Sequence, residues 1–197
     1  MVFASRNRGK IEEVEALLQG VDVRLLSMSD YKDIPDILED GQSFFENALK
    51  KARIVSEWTG ETALADDSGP EVDALGGAPG IYSARYAGDD ATDAGNNRKL
   101  LEDLRGVSPD KRGGAFRCVL VLYRPGGHYE HFEGRWQGRI AEEPSGTGGF
   151  GYDPVFFLPD FSLTVARLEP GLKNQISHRA QAFQQLKNYL QGVILTQ

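Results

Sequence analysis

Two strand-like runs, residues 115–123 and 129–140, flank Pro125-Gly126-Gly127. Such runs on either side of a turn signal predict an antiparallel hairpin, which commits the middle of the chain to a β-sheet. A second period surrounds it. Ile11, Val14, Leu17 and Leu18 recur at helical spacing before Gly20. Ser43-Phe44-Phe45-Glu46 reads as a capping box, with Ser43 capping and Glu46 bonding back to it. Behind it Phe45, Ala48, Leu49, Ala52 and Val55 form one apolar face, and Gly60 closes the helix. Leu100, Leu101 and Leu104 mark a helix over 93–104, and Ala182, Phe183, Leu186 and Leu190 a last one capped by Ser177. Strand-like stretches at 1–4, 21–26, 62–65 and 155–158 alternate with these. The alternation, with a hairpin in its midst, predicts an α/β fold built on a mixed β-sheet flanked by helices. One domain over 1–197 is expected, with the hairpin region, about 110–145, as a candidate second lobe.

Composition narrows the partners. The chain carries 22 Lys and Arg against 29 Asp and Glu, a net −7. That balance argues against a duplex nucleic acid partner, which needs a basic face. It leaves room for a small anion held by a few local cations. A hydrophobic share of 40% excludes a disordered chain. Cys118, the single cysteine, cannot form an internal disulfide and lies in an apolar strand-like run, as a buried thiol would. Three His and one Cys are too few for a typical structural zinc site. No apolar stretch approaches the ~20 residues of a membrane span. Arg6, Arg8 and Lys10 precede Ile11-Glu12-Glu13-Val14-Glu15 rather than an apolar segment, so no secretory signal is expected and the default compartment is the cytosol.

Five stretches could carry chemistry, and each has a plain structural reading beside it. Ser5-Arg6-Asn7-Arg8-Gly9-Lys10 forms a strand–loop–helix junction, where backbone N–H groups and the helix N-terminus suit an anion. Lys10 opposes the helix dipole there unless an anion neutralises it. The alternative is a cation-rich surface turn, and no GxxxxGK[ST] pattern is present. In Asp66-Asp67-Ser68-Gly69, adjacent carboxylates on an extended strand face opposite ways, so one can bind a metal while the other orients something behind it, unless a turn lets both reach the cleft. A solvated turn is the alternative. Glu39-Asp40-Gly41 offers a further carboxylate for a Mg²⁺ site, or an exposed acidic turn. Lys50 and Lys51 read as solvated helix positions. Gly146-Thr147-Gly148-Gly149-Phe150-Gly151-Tyr152-Asp153-Pro154 lets backbone approach a ligand closely, with Phe150 and Tyr152 offering flat faces and Asp153 an acceptor; the alternative is a flexible hairpin tip. Lys173-Asn174-Gln175-Ile176-Ser177-His178-Arg179 places cations at the positive end of a helix, suiting an acceptor-bearing ligand or marking an exposed helix start.

These stretches, with Phe45-Glu46-Asn47-Ala48 and the run Leu75-Gly76-Gly77-Ala78-Pro79-Gly80-Ile81-Tyr82-Ser83-Ala84-Arg85-Tyr86, give the chain a recognisable pattern. It resembles the inosine triphosphate pyrophosphatase family, the Ham1-like or RdgB-like house-cleaning nucleotidases, in motif order and over nearly its whole length. The resemblance implies an elongated mixed sheet with two lobes around a central nucleotide cleft, a homodimer, and Mg²⁺-dependent hydrolysis of ITP, dITP and XTP to monophosphate and pyrophosphate. It implies that Ser5, Arg6, Asn7, Arg8, Gly9 and Lys10 hold the triphosphate with help from Lys51. It makes Asp67 the proton acceptor and, with Glu39, a metal ligand, and brings Ser68 to the substrate. Phe150, Gly151, Tyr152, Asp153, Lys173, His178 and Arg179 are implied as the base and sugar pocket. The chain departs from the family pattern at Pro70, where Leu is usual, and at Arg6, where a small residue is common.

Overall fold

The computed structural model describes residues 1–194. Strand β1 (Val2–Phe3) leads into helix α1 (Arg8–Leu17), strand β2 (Leu26–Ser27), helix α2 (Phe44–Thr59) and strand β3 (Ala63–Val72). Then come helix α3 (Asp93–Asp103), strands β4 (Gly113–Tyr123), β5 (Tyr129–Ile140), β6 (Phe156–Leu158) and β7 (Leu163–Thr164), and helices α4 (Pro170–Ile176) and α5 (His178–Ile194). The strands form one seven-stranded mixed sheet in the order β2-β1-β3-β4-β5-β6-β7. β1 pairs in parallel with β2 and β3, whereas β6 is antiparallel to both β5 and β7. This is the α/β class the alternation predicts.

The central strand β4 is buried along nearly its whole length, as a strand covered on both faces must be. β5 alternates exposed and buried residues over most of its course. Arg124 N–H donates to the His128 carbonyl across the turn that joins them (2.9 Å), and Gly126 and Gly127 adopt the left-handed backbone this turn needs.

Several expected boundaries shift. Val21 N–H closes a turn onto Leu18 (3.1 Å) and Val23 N–H onto Val21 (2.8 Å), so the strand expected over 21–26 contracts to Leu26–Ser27. The strand expected to stop at Asp66 runs on to Val72 through Pro70. β1 pairs with β3 only at Ala63 and Leu64, so at Pro70 that flank has no ladder from β1 for a missing N–H to interrupt. Ser43 caps α2 through Glu46 N–H (3.1 Å), but the Glu46 carboxylate accepts from Gln42 N–H (2.7 Å) rather than from Ser43. The buried face of α2 includes Phe44 and Lys51, with Phe45 and Leu49 only partly covered. α4 and β7 carry no periodic signal at their short length and were not expected.

The chain forms two compact units. The first comprises Met1–Asp67, Cys118–Gly134 and the chain from Arg179 on; the second comprises Ser68–Arg117 and Arg135–His178. The hairpin is shared between them, its tip in the first and its base in the second. Each unit has its own core. Phe3, Val14, Leu64, Leu120, Phe183 and Leu186 centre the first, and Val72, Leu100, Leu104, Phe116, Trp136 and Phe156 the second. Among the described residues no helix is long and apolar enough to cross a membrane.

Candidate functional site

In the first unit, polar chemistry gathers where β1 meets α1. Asn7, not Gly9, ends the loop: its side chain accepts from Lys10 N–H (3.0 Å) and caps α1, which starts at Arg8. Asn7 N–H in turn donates to Ser5 Oγ (3.1 Å). This turn aims Lys10 inward, where its ammonium pairs with Asp66 Oδ1. The other loop cations turn elsewhere. Arg8 pairs with Glu12 on the exposed face of α1 (2.8 Å). Arg6 bonds Asp36 (2.8 Å) and the Ile34 carbonyl (3.2 Å), tying the loop before Glu39 to the loop after β1.

The paired aspartates separate as an extended strand requires. Asp66 is buried and receives Lys10 on Oδ1 and Arg179 on Oδ2 (3.0 Å from Nη2, 3.2 Å from Nε). Burial raises the pKa of Asp66, but Lys10, Arg179 and Lys51 together hold it far below the ordinary carboxylate range. Arg179 also pairs with Glu13, so the structure groups this residue with Lys10 and Asp66. Its assignment to the base and sugar pocket comes only from the resemblance; among its contacts are the buried Asp66 and the partly buried Glu13.

Asp67 belongs to a second set. Lys51 Nζ donates to Asp67 Oδ1 (3.2 Å), Glu39 Oε2 (2.8 Å) and the Asp66 carbonyl (2.8 Å). Lys51 is therefore buried among acceptors, and the solvated reading of this residue is corrected. Desolvation opposes its charge, but Asp67, Glu39 and Asp66 outweigh that and raise its pKa. Burial, with the Glu39 carboxylate beside it, pushes Asp67 up to about 6 despite Lys51 and Lys10. Glu39 feels the same desolvation, yet Lys51 holds its pKa below the ordinary value. Two carboxylates on one ammonium make an oxygen-donor pair that could take a hard cation. Among the described residues no cluster of three or more His, Cys, Asp or Glu is arranged to hold a metal.

Asn47 lies in the Phe45–Ala48 motif, where the sequence reading gives it no role of its own. Its Nδ2 donates to Asp67 Oδ2 (3.2 Å) and its Oδ1 accepts from Gly41 N–H (2.8 Å), so one buried amide ties Asp67 to the loop that carries Glu39. The signal was present: a polar residue on the buried face of an amphipathic helix needs partners.

In the second unit, Ser68 follows Asp67 on β3 and is partly exposed. Asp153 ties the glycine loop to itself and to α4. Asp153 Oδ2 accepts from Phe150 N–H (3.0 Å) and from Lys173 Nζ (2.5 Å), and that ammonium lies 4.9 Å from the Phe150 ring centroid. Gly149 has a left-handed backbone, and a Cβ there would strike Asp153 Oδ2 at 1.9 Å. Tyr152 is a correction. Expected with Phe150 to present a flat face, it is buried in the second core, with its hydroxyl donating to the Ser83 carbonyl (2.8 Å). His178 is buried too, stacked on Phe116 (4.7 Å, 9°) and near Trp136 (6.4 Å). Phe150, Asp153 and Lys173 are thus brought together, and His178 sits on its own aromatic platform.

The comparisons agree over nearly the full length. A family model described as "Ham1 family" matches residues 1–189. A dITP/XTP pyrophosphatase of Geobacter sulfurreducens is 50% identical over 195 residues, 98% of each chain. The structure of a HAM1 protein from Coxiella burnetii superposes with a TM-score of 0.89 at 43% identity, covering 97% of this chain and 98% of that one. A nucleoside-triphosphatase, dITP/XTP pyrophosphatase, from Mycobacterium abscessus gives 0.77 at 41% identity over 94% and 96%. With a family model matched over residues 1–189 and relatives matched over nearly their whole length, this chain belongs to the Ham1 family.

Proposed function

We propose that this chain is a nucleoside-triphosphate pyrophosphatase that hydrolyses non-standard purine nucleotides, ITP, dITP and XTP, to the monophosphate and pyrophosphate. The observation that carries the reading is the convergence of Lys10, Lys51, Glu39 and Asp67 in one unit, together with relatives of matched length named dITP/XTP pyrophosphatase. Lys10 and Lys51 neutralise charge on the phosphates as water attacks the α-phosphorus and pyrophosphate leaves. Asp67 accepts the proton of that water, a role favoured by the burial that raises its pKa above the ordinary carboxylate value. Asn47 holds the second carboxylate oxygen of Asp67 and so fixes the orientation of the base.

Glu39 and Asp67 would hold Mg²⁺, an ion that takes one or two carboxylates and completes its shell with water and substrate phosphate. When bound, it supplies Lewis-acid neutralisation of phosphate charge. In the second unit, the Phe150 ring suits a purine face, and the Lys173 ammonium suits the 6-keto oxygen of hypoxanthine or xanthine better than the amino group of adenine. From the family resemblance we extend the proposal to a cytosolic homodimer, whose mass sedimentation equilibrium measures.

A pyrophosphate-release assay over ITP, dITP, XTP, GTP and ATP tests this reading. We expect strong turnover of the first three, dependent on Mg²⁺. Asp67→Asn should lower kcat by about 10²-fold or more. Equal turnover of ATP, or no release from any of them, would overturn the proposal.

A further inference from the structure

We propose that Asp93 and Asn97 are positioning residues for the glycine loop, holding Gly151 by both of its backbone groups and thereby setting where Phe150 and Asp153 stand. The two lie at i and i+4 on α3, on one face of the helix. Gly151 N–H donates to Asp93 Oδ2 at 2.7 Å, and Asn97 Nδ2 donates to the Gly151 carbonyl at 3.0 Å. Gly151 is in the left-handed region, at φ 60°, so its two peptide groups are presented to the helix in a conformation other residues resist. The next residue is held as well, through the Tyr152 hydroxyl on Ser83. An exposed loop ordinarily leaves such groups to water. Here two successive residues are tied to protein.

Asn97 adds an independent sign. It is buried, and its Oδ1 has no hydrogen-bond partner among the described residues. An unsatisfied buried acceptor is a cost, and it makes sense where the side chain is kept for its donor. Thr92, the N-cap of α3, bonds Gly95 N–H (3.1 Å) and supports the helix alone.

This inference rests on the proposed function, because it assigns the loop a role in base binding. Base contacts are made equally in the ground and transition states, so their loss falls on KM. Asn97→Ala and Asp93→Ala should each raise KM for ITP about tenfold with kcat within about twofold. Asp93→Asn, whose carboxamide oxygen still accepts from Gly151, should restore KM. Thr92→Ala should lower the melting temperature and leave KM at the wild-type value. Wild-type KM in both alanine variants, or an equal rise in Thr92→Ala, would overturn the inference.

Residue-resolved amide exchange on the ligand-free protein keeps the two ideas apart. Exchange at Gly151 N–H should quicken in Asp93→Ala and not in Thr92→Ala, and unchanged exchange in Asp93→Ala would overturn the clamp. A wild-type protein that releases no pyrophosphate from ITP or XTP would instead sink the functional reading, with Gly151 exchange still deciding the clamp.

Discussion

The two units solve the problem of a buried polar site in different ways. The first buries full charges and cancels them against one another: Lys10 and Arg179 on Asp66, Lys51 on Asp67 and Glu39, Glu13 on Arg179. The second, beside ion pairs such as Asp153 with Lys173, is held by ring stacking around His178 and by hydrogen bonds to backbone, such as Tyr152 to Ser83 and Asn97 to Gly151. The contrast teaches where each unit is vulnerable. A buried charge that loses its partner keeps its full desolvation cost, whereas a neutral hydrogen bond lost in a packed core leaves a smaller deficit.

That contrast can be broken experimentally. Asp66→Asn leaves Lys10 and one arm of Arg179 facing a neutral amide. We expect it to destabilise the fold by about 3–5 kcal/mol in urea denaturation. A loss no larger than that of a neutral core contact would remove the distinction between the units.

A smaller effect should follow pH. Asp67 has a folded pKa of about 6 against an ordinary 3.8, raised mainly by burial. A raised carboxylate pKa means that the folded state holds the proton more tightly. Its contribution to stability is complete below the unfolded pKa and is lost as pH rises through about 6. In chelator, the protein should therefore be more stable near pH 5 than near pH 7.5, by between about 1 and 2 kcal/mol from this group. Asp67→Asn should flatten that difference. Denaturation curves at the two pH values measure it, and an unchanged slope in the variant would assign the effect to other groups.

The smallest effect belongs to the second unit. Tyr152→Phe removes one neutral hydrogen bond while keeping the ring in its core, and should cost about 1 kcal/mol. A loss matching that of Asp66→Asn would show that the second unit also depends on its polar contacts.

Elements whose information is local were legible in the sequence. Ser43 and Gly60 bracket α2, the α3 pattern starts at Asp93, and the Pro-Gly-Gly turn marks the hairpin. The paired aspartates, Glu39 and Lys10 could also be singled out, since a carboxylate pair at a strand and a cation at a helix start are visible oddities. Lys51 and Tyr152 could not be placed the same way. The helical period says which face a residue occupies, but not that three acceptors wait over one position of that face, as they do for Lys51. Nor does a glycine-rich composition say which of its aromatic residues turns inward.

What the sequence by itself determined is therefore the set of elements, their capping and the residues able to do chemistry, because propensity and periodicity act over one turn or one pleat. The tertiary structure alone decided who partners whom. Arg179 meets Asp66 across 113 positions of chain, and Asn97 meets Gly151 across 54. Contacts at that separation exist only once the sheet order is set, and it is burial there that turns ordinary side chains into perturbed acids, buried cations and held loops.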